Sequence, residues 1–376
     1  MFIERYGWDQ EKVKAFRHDL LTWYDTHKRD LPWRQTRDPY AIWISEIMLQ
    51  QTQVVTVIPF YQRFMATLPN IQALAQVEEE TLMTLWQGLG YYSRARNLKT
   101  AAQQIMQDFK GQMPDTMEGL LSLKGIGPYT AAAIGSMAFG LVEPAIDGNL
   151  LRVTARLFEL DADISLPKSR KLFETILYEL IDPVRPGDFN QAMMDLGARI
   201  MTPTNYYPVE SPVKAYDASF INETAASYPV KSKKIKASHH YWLSLCIMDQ
   251  DQQVIWVKHQ EGQLLEGLWH FPLVPIEKDH APGPAEILDF ARDLVQQIDE
   301  KTQANLHIDQ AWDMKNIKPV KHIFTHRVWH IFPVLVHYQG VFAQGNQVDK
   351  LKSSRPSSTL QKKLIDATRR SYVTLT

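Results

Sequence analysis

The hydrophobic pattern of the chain changes once, at about residue 226, and this change limits the folds that it can adopt. Over residues 9–225 apolar side chains recur at helical spacing, and turns containing Pro or Gly separate the segments. The next stretch, ASYPVKSKKIKAS (226–238), is polar and basic, which is typical of a linker. The sequence therefore predicts an all-α domain over residues 1–225 and a second domain over residues 239–376.

The second domain combines strand and helix patterns. Runs rich in β-branched and aromatic residues predict strands at HYWLSLCIM (240–248), QVIWVK (253–258) and HIFPVLVHY (330–338). Helical spacing returns over residues 284–299 and 357–369. We therefore expect an α+β domain after the linker.

Composition excludes several classes of protein. The 376 residues are 45% apolar, which is enough for two hydrophobic cores. A single cysteine, Cys246, rules out a disulfide framework and an all-cysteine metal site. No stretch reaches the ~18 apolar residues of a membrane span, and the N-terminus lacks an apolar signal core, so we expect a cytoplasmic protein. The formal net charge of −1 does not by itself indicate a nucleic-acid partner.

A glycine-rich turn opens a helix of small residues in the segment LKGIGPYTAAAIGSMAFG (123–140). Gly125 and Gly127 allow a backbone to approach a phosphate closely, and the N–H groups at a helix N-terminus bind anions. The first 225 residues carry more acidic than basic side chains, so backbone N–H groups must provide much of any phosphate contact. The structural alternative is an ordinary corner between two helices. The carbonyls of such a turn can also hold a monovalent cation.

Two carboxylates stand in unusual surroundings. Glu46 lies among apolar residues of a predicted helix, where an acidic group is costly to bury without a partner or a task. Asp147 ends a short apolar run before Gly-Asn and another helix. The structural alternatives are a half-exposed glutamate at a helix edge and an aspartate that caps a helix N-terminus. A pair of carboxylates, one protonated and one ionised, is also what cleavage of a glycosidic bond requires.

Six motifs resemble, in order, those of the MutY adenine DNA glycosylases, which belong to the helix–hairpin–helix DNA glycosylase superfamily. Over about residues 30–200 they are PWR (32–34), SEIMLQQTQV (45–54), GLGYYSRARNL (88–98), LKGIGPYTA (123–131), IDGNLLRV (146–153) and FNQAMMDLGA (189–198). Several independent motifs in the right order are far more specific than a lone glycine-rich loop. The resemblance implies that the helix–hairpin–helix element covers about residues 116–139.

The resemblance implies roles in the removal of adenine from DNA. Glu46 would protonate the adenine and activate water, and Asp147 would stabilise the sugar cation. Tyr129 and Asn149 would line the same pocket. Relatives that also cut the DNA strand commonly have a lysine at the position of Tyr129, and that lysine forms a Schiff base with the sugar. A tyrosine cannot form an imine, and Lys124 precedes the hairpin, so we expect a monofunctional glycosylase that leaves an abasic site.

Five further residues are implied to handle the DNA duplex. Trp33 and Arg34 would hold the extruded base, and Gln51, Leu89 and Tyr91 would enter the duplex to fill or prop the gap. Base flipping costs a few kcal/mol of stacking, which apolar and aromatic wedges offset. For Leu89 and Tyr91, plain packing in a core is the structural alternative.

The chain departs from the family at one place. Most MutY-like proteins hold a four-cysteine iron–sulfur cluster just after the DLGA segment, and such clusters need thiolate ligands. The residues at the approximate positions of those cysteines are Met201, Pro208, Ser211 and Asp217. We therefore expect no iron–sulfur cluster and, apart from the cation at the hairpin, no other cofactor.

The second domain carries two motifs, GLWHFPLVP (267–275) and HIFTHRVWHIFPVLV (322–336), that resemble the Nudix-like C-terminal domain of the same family. The predicted helix between them lacks the paired glutamates with which Nudix hydrolases bind magnesium, so the resemblance implies a recognition domain. The loop that inspects 8-oxoguanine in the family corresponds here to Phe324, Thr325 and His326. The structural alternative is a polar strand end. Histidines recur in this region, but no carboxylate or thiolate cluster completes a metal site.

The sequence thus predicts a monomeric base excision repair enzyme that acts on double-stranded DNA and removes adenine mispaired with 8-oxoguanine or guanine. Three alternatives stay open. One is a helix–hairpin–helix glycosylase for another base, either an oxidised pyrimidine or a mismatched thymine. Another is a non-catalytic DNA-binding module, against which Glu46 and Asp147 argue. The third is a nucleotide pyrophosphatase, which the missing glutamate pair disfavours.

Overall fold

The computed structural model describes residues 1–373 except 205, 207, 233–236, 261, 279–280, 303–304, 309–318, 325, 344, 346, 352 and 354. The chain divides into two compact units. The first comprises Met1–Glu78 and Ser93–Lys233, and the second comprises Glu79–Tyr92 and Lys234–Thr376. The short segment Glu79–Tyr92 is thus grouped with the C-terminal part of the chain, far from it in sequence.

The first unit is built from helices, and the second unit combines helices with strands. The helices in the described part of the chain are α1 (Gln10–His27), α2 (Pro39–Leu49), α3 (Val54–Thr67), α4 (Ile71–Gln76), α5 (Glu79–Trp86), α6 (Ser93–Asp108), α7 (Met117–Ser122), α8 (Pro128–Phe139), α9 (Gly148–Phe158), α10 (Arg170–Leu180), α11 (Pro186–Arg199), α12 (Ala218–Ile221), α13 (Pro284–Thr302) and α14 (Thr359–Val373). Of these, α5, α13 and α14 belong to the second unit.

Helix α2 lies at the centre of the first unit. Asp38 caps its N-terminus by accepting a hydrogen bond from the Tyr40 amide at 3.0 Å, and Pro39 occupies the first turn, where no N–H partner is needed. Every residue from Tyr40 to Met48 is buried, because α2 packs against α3 and α8. Burial on all sides explains why the sequence of this helix is apolar without a polar face.

A second layer of packing fixes α9, which begins at Gly148. Its apolar side chains pack with those of α1, α10 and α11 in one cluster, in which Phe16, Val153, Phe173 and Leu196 are fully buried. A fully buried apolar side chain of this size contributes about 1.5–3 kcal/mol relative to an exposed one. The N-terminus of α9 is therefore held in place by the core beneath it.

The second unit contains a mixed sheet. Its described strands are β1 (Ser238–Met248), β2 (Gln253–Ile255), β3 (Val257–Lys258), β4 (Trp269–His270), β5 (Leu273–Ile276), β6 (Leu306–Ile308), β7 (Val320–Ile323), β8 (Arg327–Tyr338) and β9 (Val348–Lys350). The order is β6-β8-β1-β2-β9, with β5 beside β1 and β7 beside β8, while β3 and β4 form a separate pair. Strands β1 and β8 run parallel from Ser238 opposite Arg327 to Met248 opposite His337, and the other pairs are antiparallel. Helix α13 covers one face through Ile287, which packs with Leu243 and Val334.

The prediction of a helical part followed by a part that combines helices and strands is confirmed. The run QVIWVK, expected to be one strand, forms the two short strands β2 and β3 with Trp256 between them. The run divides because β2 pairs with β9 in the large sheet whereas β3 pairs with β4 in the separate two-stranded sheet, and the Trp256 amide between them donates to the Gln347 carbonyl at 2.7 Å. Among the helices that the structure describes, none combines the length and the apolar character that crossing a bilayer requires.

Candidate active site

One cavity in the first unit collects most of the side chains singled out in the sequence. It has a volume of about 470 Å³, a size typical of small-molecule sites. Helices α2, α8, α9 and α11 supply much of its wall. The predicted residues that line it are Trp33, Arg34, Glu46, Tyr129, Asp147 and Asn149.

Glu46 is a buried carboxyl group at this cavity. Its side chain is on α2 and the residue is only 4% exposed, so the alternative of a half-exposed glutamate is excluded. The Tyr129 hydroxyl donates a hydrogen bond to Glu46 Oε2 at 2.6 Å. Burial raises the pKa of Glu46 to about 7, and the charge of Asp147 acts in the same direction, while the Tyr129 hydrogen bond and the Arg34 charge lower it. Near neutral pH this carboxyl group can both donate and accept a proton.

Asp147 caps the N-terminus of α9 and also lines the cavity. Its Oδ1 accepts hydrogen bonds from the amides of Asn149 and Leu150, both at 2.8 Å, and its Oδ2 accepts one from Asn149 Nδ2 at 2.7 Å. Burial raises the pKa of Asp147, whereas these hydrogen bonds and the charge of Arg152 favour the carboxylate. The capping alternative is therefore correct for the local structure, and it is compatible with a chemical role.

Arg152 orients the side chain of Asn149, and the sequence analysis missed it. Its Nη2 donates to Asn149 Oδ1 at 2.7 Å and to the Gly197 carbonyl at 2.7 Å, and its Nε donates to the Met201 carbonyl at 2.7 Å. A Cβ at Gly197 would lie 2.8 Å from that of Asn149, so the close approach of α11 requires glycine there. An arginine three residues after Asn149 on an apolar helix was the available signal.

Arg34 is fixed by a fully buried carboxylate, Asp195, which the sequence analysis also missed. Arg34 donates to both oxygens of Asp195, at 2.7 and 2.9 Å, and Arg29 Nε donates at 2.8 Å. Burial acts to raise the pKa of Asp195, but the two guanidinium groups hold it below its ordinary value. Trp33 is buried beside Arg34, and its ring and that of Tyr61 pack edge to face with their centroids 5.3 Å apart. The signal for Asp195 was an acidic residue among the apolar positions of FNQAMMDLGA.

The glycine-rich turn connects α7 to α8. Gly125 has a φ of +80°, and a Cβ there would lie 2.7 Å from that of Asn97, so glycine is required for both reasons. Gly127 is the N-cap of α8 and provides no side-chain cap, so the first amides of this helix are not covered by a capping side chain. Tyr129 follows in the first turn of the same helix. Gln51 is exposed just after α2, with a φ of +57°.

Five of the predicted DNA-contacting or lesion-contacting residues belong to the second unit. Leu89 is buried, whereas Tyr91 is 47% exposed with a φ of +48°. The Phe324 amide donates to the Arg327 carbonyl at 2.8 Å, which closes the turn between β7 and β8. His326 is exposed, and its carbonyl accepts a hydrogen bond from the Ser238 amide at 3.1 Å. Thr325 lies outside the described residues.

The four positions that correspond to the cluster cysteines do not fit an iron–sulfur cluster. Met201 and Asp217 are fully buried, and Ser211 is nearly so. Asp217 accepts hydrogen bonds from the hydroxyls of Tyr206 and Ser219 and from the Phe220 amide, so its oxygens already have donors. None of these residues is a thiol, and burial raises the pKa of the single cysteine, Cys246, to about 12. In the described part of the chain, no three His, Cys, Asp or Glu side chains are grouped to hold a metal.

Comparison with known proteins supports the resemblance found in the motifs. The family described as HhH-GPD superfamily base excision DNA repair protein matches residues 44–183. The adenine DNA glycosylase of Mus musculus is 38% identical over 321 residues, which are 72% of this chain and 62% of that protein. The chain thus spans less than two thirds of the mouse relative. The adenine DNA glycosylase of Schizosaccharomyces pombe is 30% identical over 391 residues, which cover 88% of this chain and 84% of that protein.

The fold of the helical unit has a solved counterpart. A thermostable thymine-DNA glycosylase superposes with a TM-score of 0.52 at 28% identity, over 56% of this chain and 98% of that one. The predicted membership of the adenine DNA glycosylase family is confirmed, because the match to the Schizosaccharomyces pombe protein covers most of both chains. This chain belongs to the adenine DNA glycosylase family, within the HhH-GPD superfamily of base excision DNA repair proteins.

Proposed function

We propose that the protein is an adenine DNA glycosylase that hydrolyses the N-glycosidic bond of adenine mispaired with 8-oxoguanine or guanine. The observation that carries the proposal is the state of Glu46. It is a buried carboxyl group with a pKa of about 7 in a cavity that it shares with Asp147. An acid poised near neutral pH beside a carboxylate is the arrangement that glycosidic cleavage uses.

The chemistry follows from the two carboxyl groups. Protonated Glu46 donates its proton to a ring nitrogen of the extruded adenine, and the bond between N9 and the sugar carbon breaks with its electron pair passing to the base. The Asp147 carboxylate stabilises the positive charge that develops on the sugar. Ionised Glu46 then accepts a proton from water as the water oxygen bonds to the sugar carbon. The products are free adenine and an abasic site.

The reaction ends at base removal because the cavity offers no imine-forming amine. The position after the hairpin is Tyr129, and none of the described residues that line the cavity is a lysine. Schiff-base chemistry requires a desolvated amine at the sugar. We therefore propose a monofunctional enzyme.

Double-stranded DNA is the proposed partner, bound by a single copy of the chain. The uncapped first turn of α8 supports phosphate binding through backbone amides, as the acidic composition of the first 225 residues requires. The proposed wedges are Gln51 and Tyr91, which are exposed and have positive φ. Leu89, two residues before Tyr91, is buried. A monovalent cation at the hairpin stays a prediction.

The second unit is the proposed site of lesion recognition. Its mixed sheet flanked by helices is compatible with a Nudix-like domain, and the turn between β7 and β8 contains Phe324 and His326. We also propose that the chain works without an iron–sulfur cluster. The buried hydrogen bonds of Asp217 support this proposal, because they leave that position committed to the protein itself.

One assay tests the function. The full chain is incubated with duplexes that contain A opposite 8-oxoguanine, A opposite G, A opposite T, or T opposite G, and alkali then cleaves any abasic site. Breaks at A opposite 8-oxoguanine and opposite G are expected. Breaks only at T would instead favour a thymine glycosylase, an outcome worth testing because the thymine-DNA glycosylase structure shares the helical fold. A borohydride-trapped adduct would contradict the monofunctional assignment.

A matched pair of variants tests the acid. Glu46→Gln should bind the mispaired duplex and fail to excise adenine, because the amide cannot donate the acid proton. Glu11→Gln, on the exposed side chain of a glutamate in α1, is the control and should excise at the rate of the unmodified protein. Full excision by Glu46→Gln would overturn the assignment.

A further inference from the structure

The motif GLGYYSRARNL contains a buried arginine, Arg94, that takes no part in the proposed chemistry. Arg94 is the second residue of α6 and is only 8% exposed. An arginine is always charged and is costly to bury unless acceptors surround it. The hydrogen-bond acceptors around Arg94 therefore show which part of the protein it stabilises.

Arg94 binds the C-terminal end of α2. Its Nη1 lies 2.7 Å from the Ile47 carbonyl oxygen, 3.2 Å from that of Met48 and 2.8 Å from that of Gln50. The last carbonyls of a helix have no partner within the helix, and a cation there also interacts favourably with the helix dipole. Arg94 thus caps α2 from a different helix.

The capped turn is the one that follows the proposed acid. Glu46 directly precedes Ile47, and the same turn leads into Gln51, where the backbone adopts a φ of +57°. Gln50 adds a second tie, because its Nε2 donates to Thr130 Oγ1 at 3.3 Å on α8, next to the Tyr129 that binds Glu46. The end of α2 is therefore tied to α6 and to α8 at once.

We propose that Arg94 is a positioning residue for the proposed glycosylase reaction. It fixes the last turn of α2, and through that turn it sets where the Glu46 carboxyl group and the Gln51 wedge stand. It touches neither the base nor the sugar. This inference rests on the proposed function for its catalytic consequence, while its structural part stands on the contacts alone.

The experiment compares Arg94→Met and Arg94→Lys with a matched control, Arg17→Met. Arg17 donates to the carbonyls of Leu180 at 2.9 Å and Glu179 at 3.0 Å, so it binds the end of α10, which carries none of the proposed site residues. The excision rate is measured in single turnovers on the duplex with A opposite 8-oxoguanine, at saturating enzyme. Affinity for that duplex is measured with each variant carrying Glu46→Gln in addition, so that no excision occurs.

Arg94→Met should lower the single-turnover rate by about 100-fold, because a displacement of about 1 Å at the reacting groups has an effect of that size. Affinity should fall far less, and Arg94→Lys should recover part of the rate by restoring a cation at the carbonyls. Arg17→Met should lose thermal stability and keep its rate. An equal loss of rate in Arg17→Met and Arg94→Met, or a full rate in Arg94→Met, would overturn the inference.

A measurement independent of activity separates this inference from the proposed function. Hydrogen exchange of the peptide that covers residues 46–53 should accelerate in Arg94→Met and stay unchanged in Arg17→Met. Unchanged exchange in Arg94→Met would refute the anchor. An unmodified protein that excises nothing from any duplex would refute the proposed function, and the exchange data would still decide whether Arg94 holds α2.

Discussion

The hydrogen bond from Tyr129 lowers the pH at which the proposed acid, Glu46, loses its proton. The Tyr129 hydroxyl donates to Glu46 Oε2 at 2.6 Å, and this bond lowers the pKa of a carboxyl group that burial has raised to about 7. Tyr129→Phe removes the donor and keeps an aromatic ring in the same buried position. The charged form of Glu46 then loses its main hydrogen-bonded support.

The size of the effect follows from the kind of bond. A hydrogen bond to a charged group contributes about 1.5–3 kcal/mol, and one pKa unit corresponds to about 1.4 kcal/mol. The substitution should therefore raise the pKa of Glu46 by roughly one to two units. The protonated form is the proposed acid, so the excision rate falls as the pH rises through this pKa. In the variant, that fall should begin at correspondingly higher pH.

The assay is the single-turnover excision rate as a function of pH, on both sides of pH 7. Tyr178→Phe is the matched control, because the Tyr178 hydroxyl donates to another glutamate, Glu143, outside the residues that line the cavity. The control should leave the profile where it is. A basic limb that stays in place in Tyr129→Phe, or that moves to lower pH, would refute the reasoning.

Three further variants test the site through stability. The pKa of Glu46 is raised from 4.5 to about 7, so the free energy of unfolding falls by about 3 kcal/mol as the pH rises from 4.5 to above 7. Glu46→Gln should therefore be more stable than the unmodified protein in urea denaturation above pH 7. Equal stability of the two proteins would mean that the Glu46 carboxylate is solvated. Gly125→Ala should lower the free energy of unfolding by on the order of 1–3 kcal/mol and weaken DNA binding in fluorescence anisotropy, because its φ is +80°. Gly127→Ala, with a φ of −93° and no atom within 4 Å of an added Cβ, is the control for stability alone, since Gly127 belongs to the proposed phosphate site. Asp195→Asn should cost about 3–5 kcal/mol in thermal unfolding, since it leaves buried guanidinium charge uncompensated. A loss below about 1 kcal/mol, the range of exposed ion pairs, would contradict the buried ion pair.

Local sequence carried enough information to place the main chemical groups. The apolar residues around Glu46 left two possibilities, a half-exposed side chain at a helix edge and a buried one with a task, and the structure shows the buried one. An aspartate before Gly-Asn indicates a helix N-cap, and Asp147 caps α9. Helical spacing over the first 225 residues and strand patterns after residue 239 predicted the two kinds of structure, because hydrophobic periodicity reports which side of each element is buried.

The rest depended on contacts between distant segments, which a single sequence does not display. Asp195 binds Arg34 across 161 positions, and Arg94 binds the end of α2 across more than forty. The motifs named the segments that hold these residues, but spacing alone could not say which buried cation meets which acceptor. The grouping of Glu79–Tyr92 with the C-terminal part of the chain is of the same kind, since Gln87 donates to the Ser357 carbonyl at 2.8 Å.

The proposed reaction needs one protonated carboxyl group close to an ionised one, and the two groups differ in the hydrogen-bond donors around them. Asp147 accepts three hydrogen bonds, whereas the described partner of Glu46 is the Tyr129 hydroxyl. Arg34 also faces the cavity, and its positive charge acts to lower the pKa of Glu46. Asp195 binds Arg34 through both of its oxygens and also binds Arg29, so its negative charge offsets part of the positive charge near Glu46. We therefore expect Asp195 to help keep the proposed acid Glu46 protonated near neutral pH, so in Asp195→Asn the basic limb of the excision profile should move to lower pH.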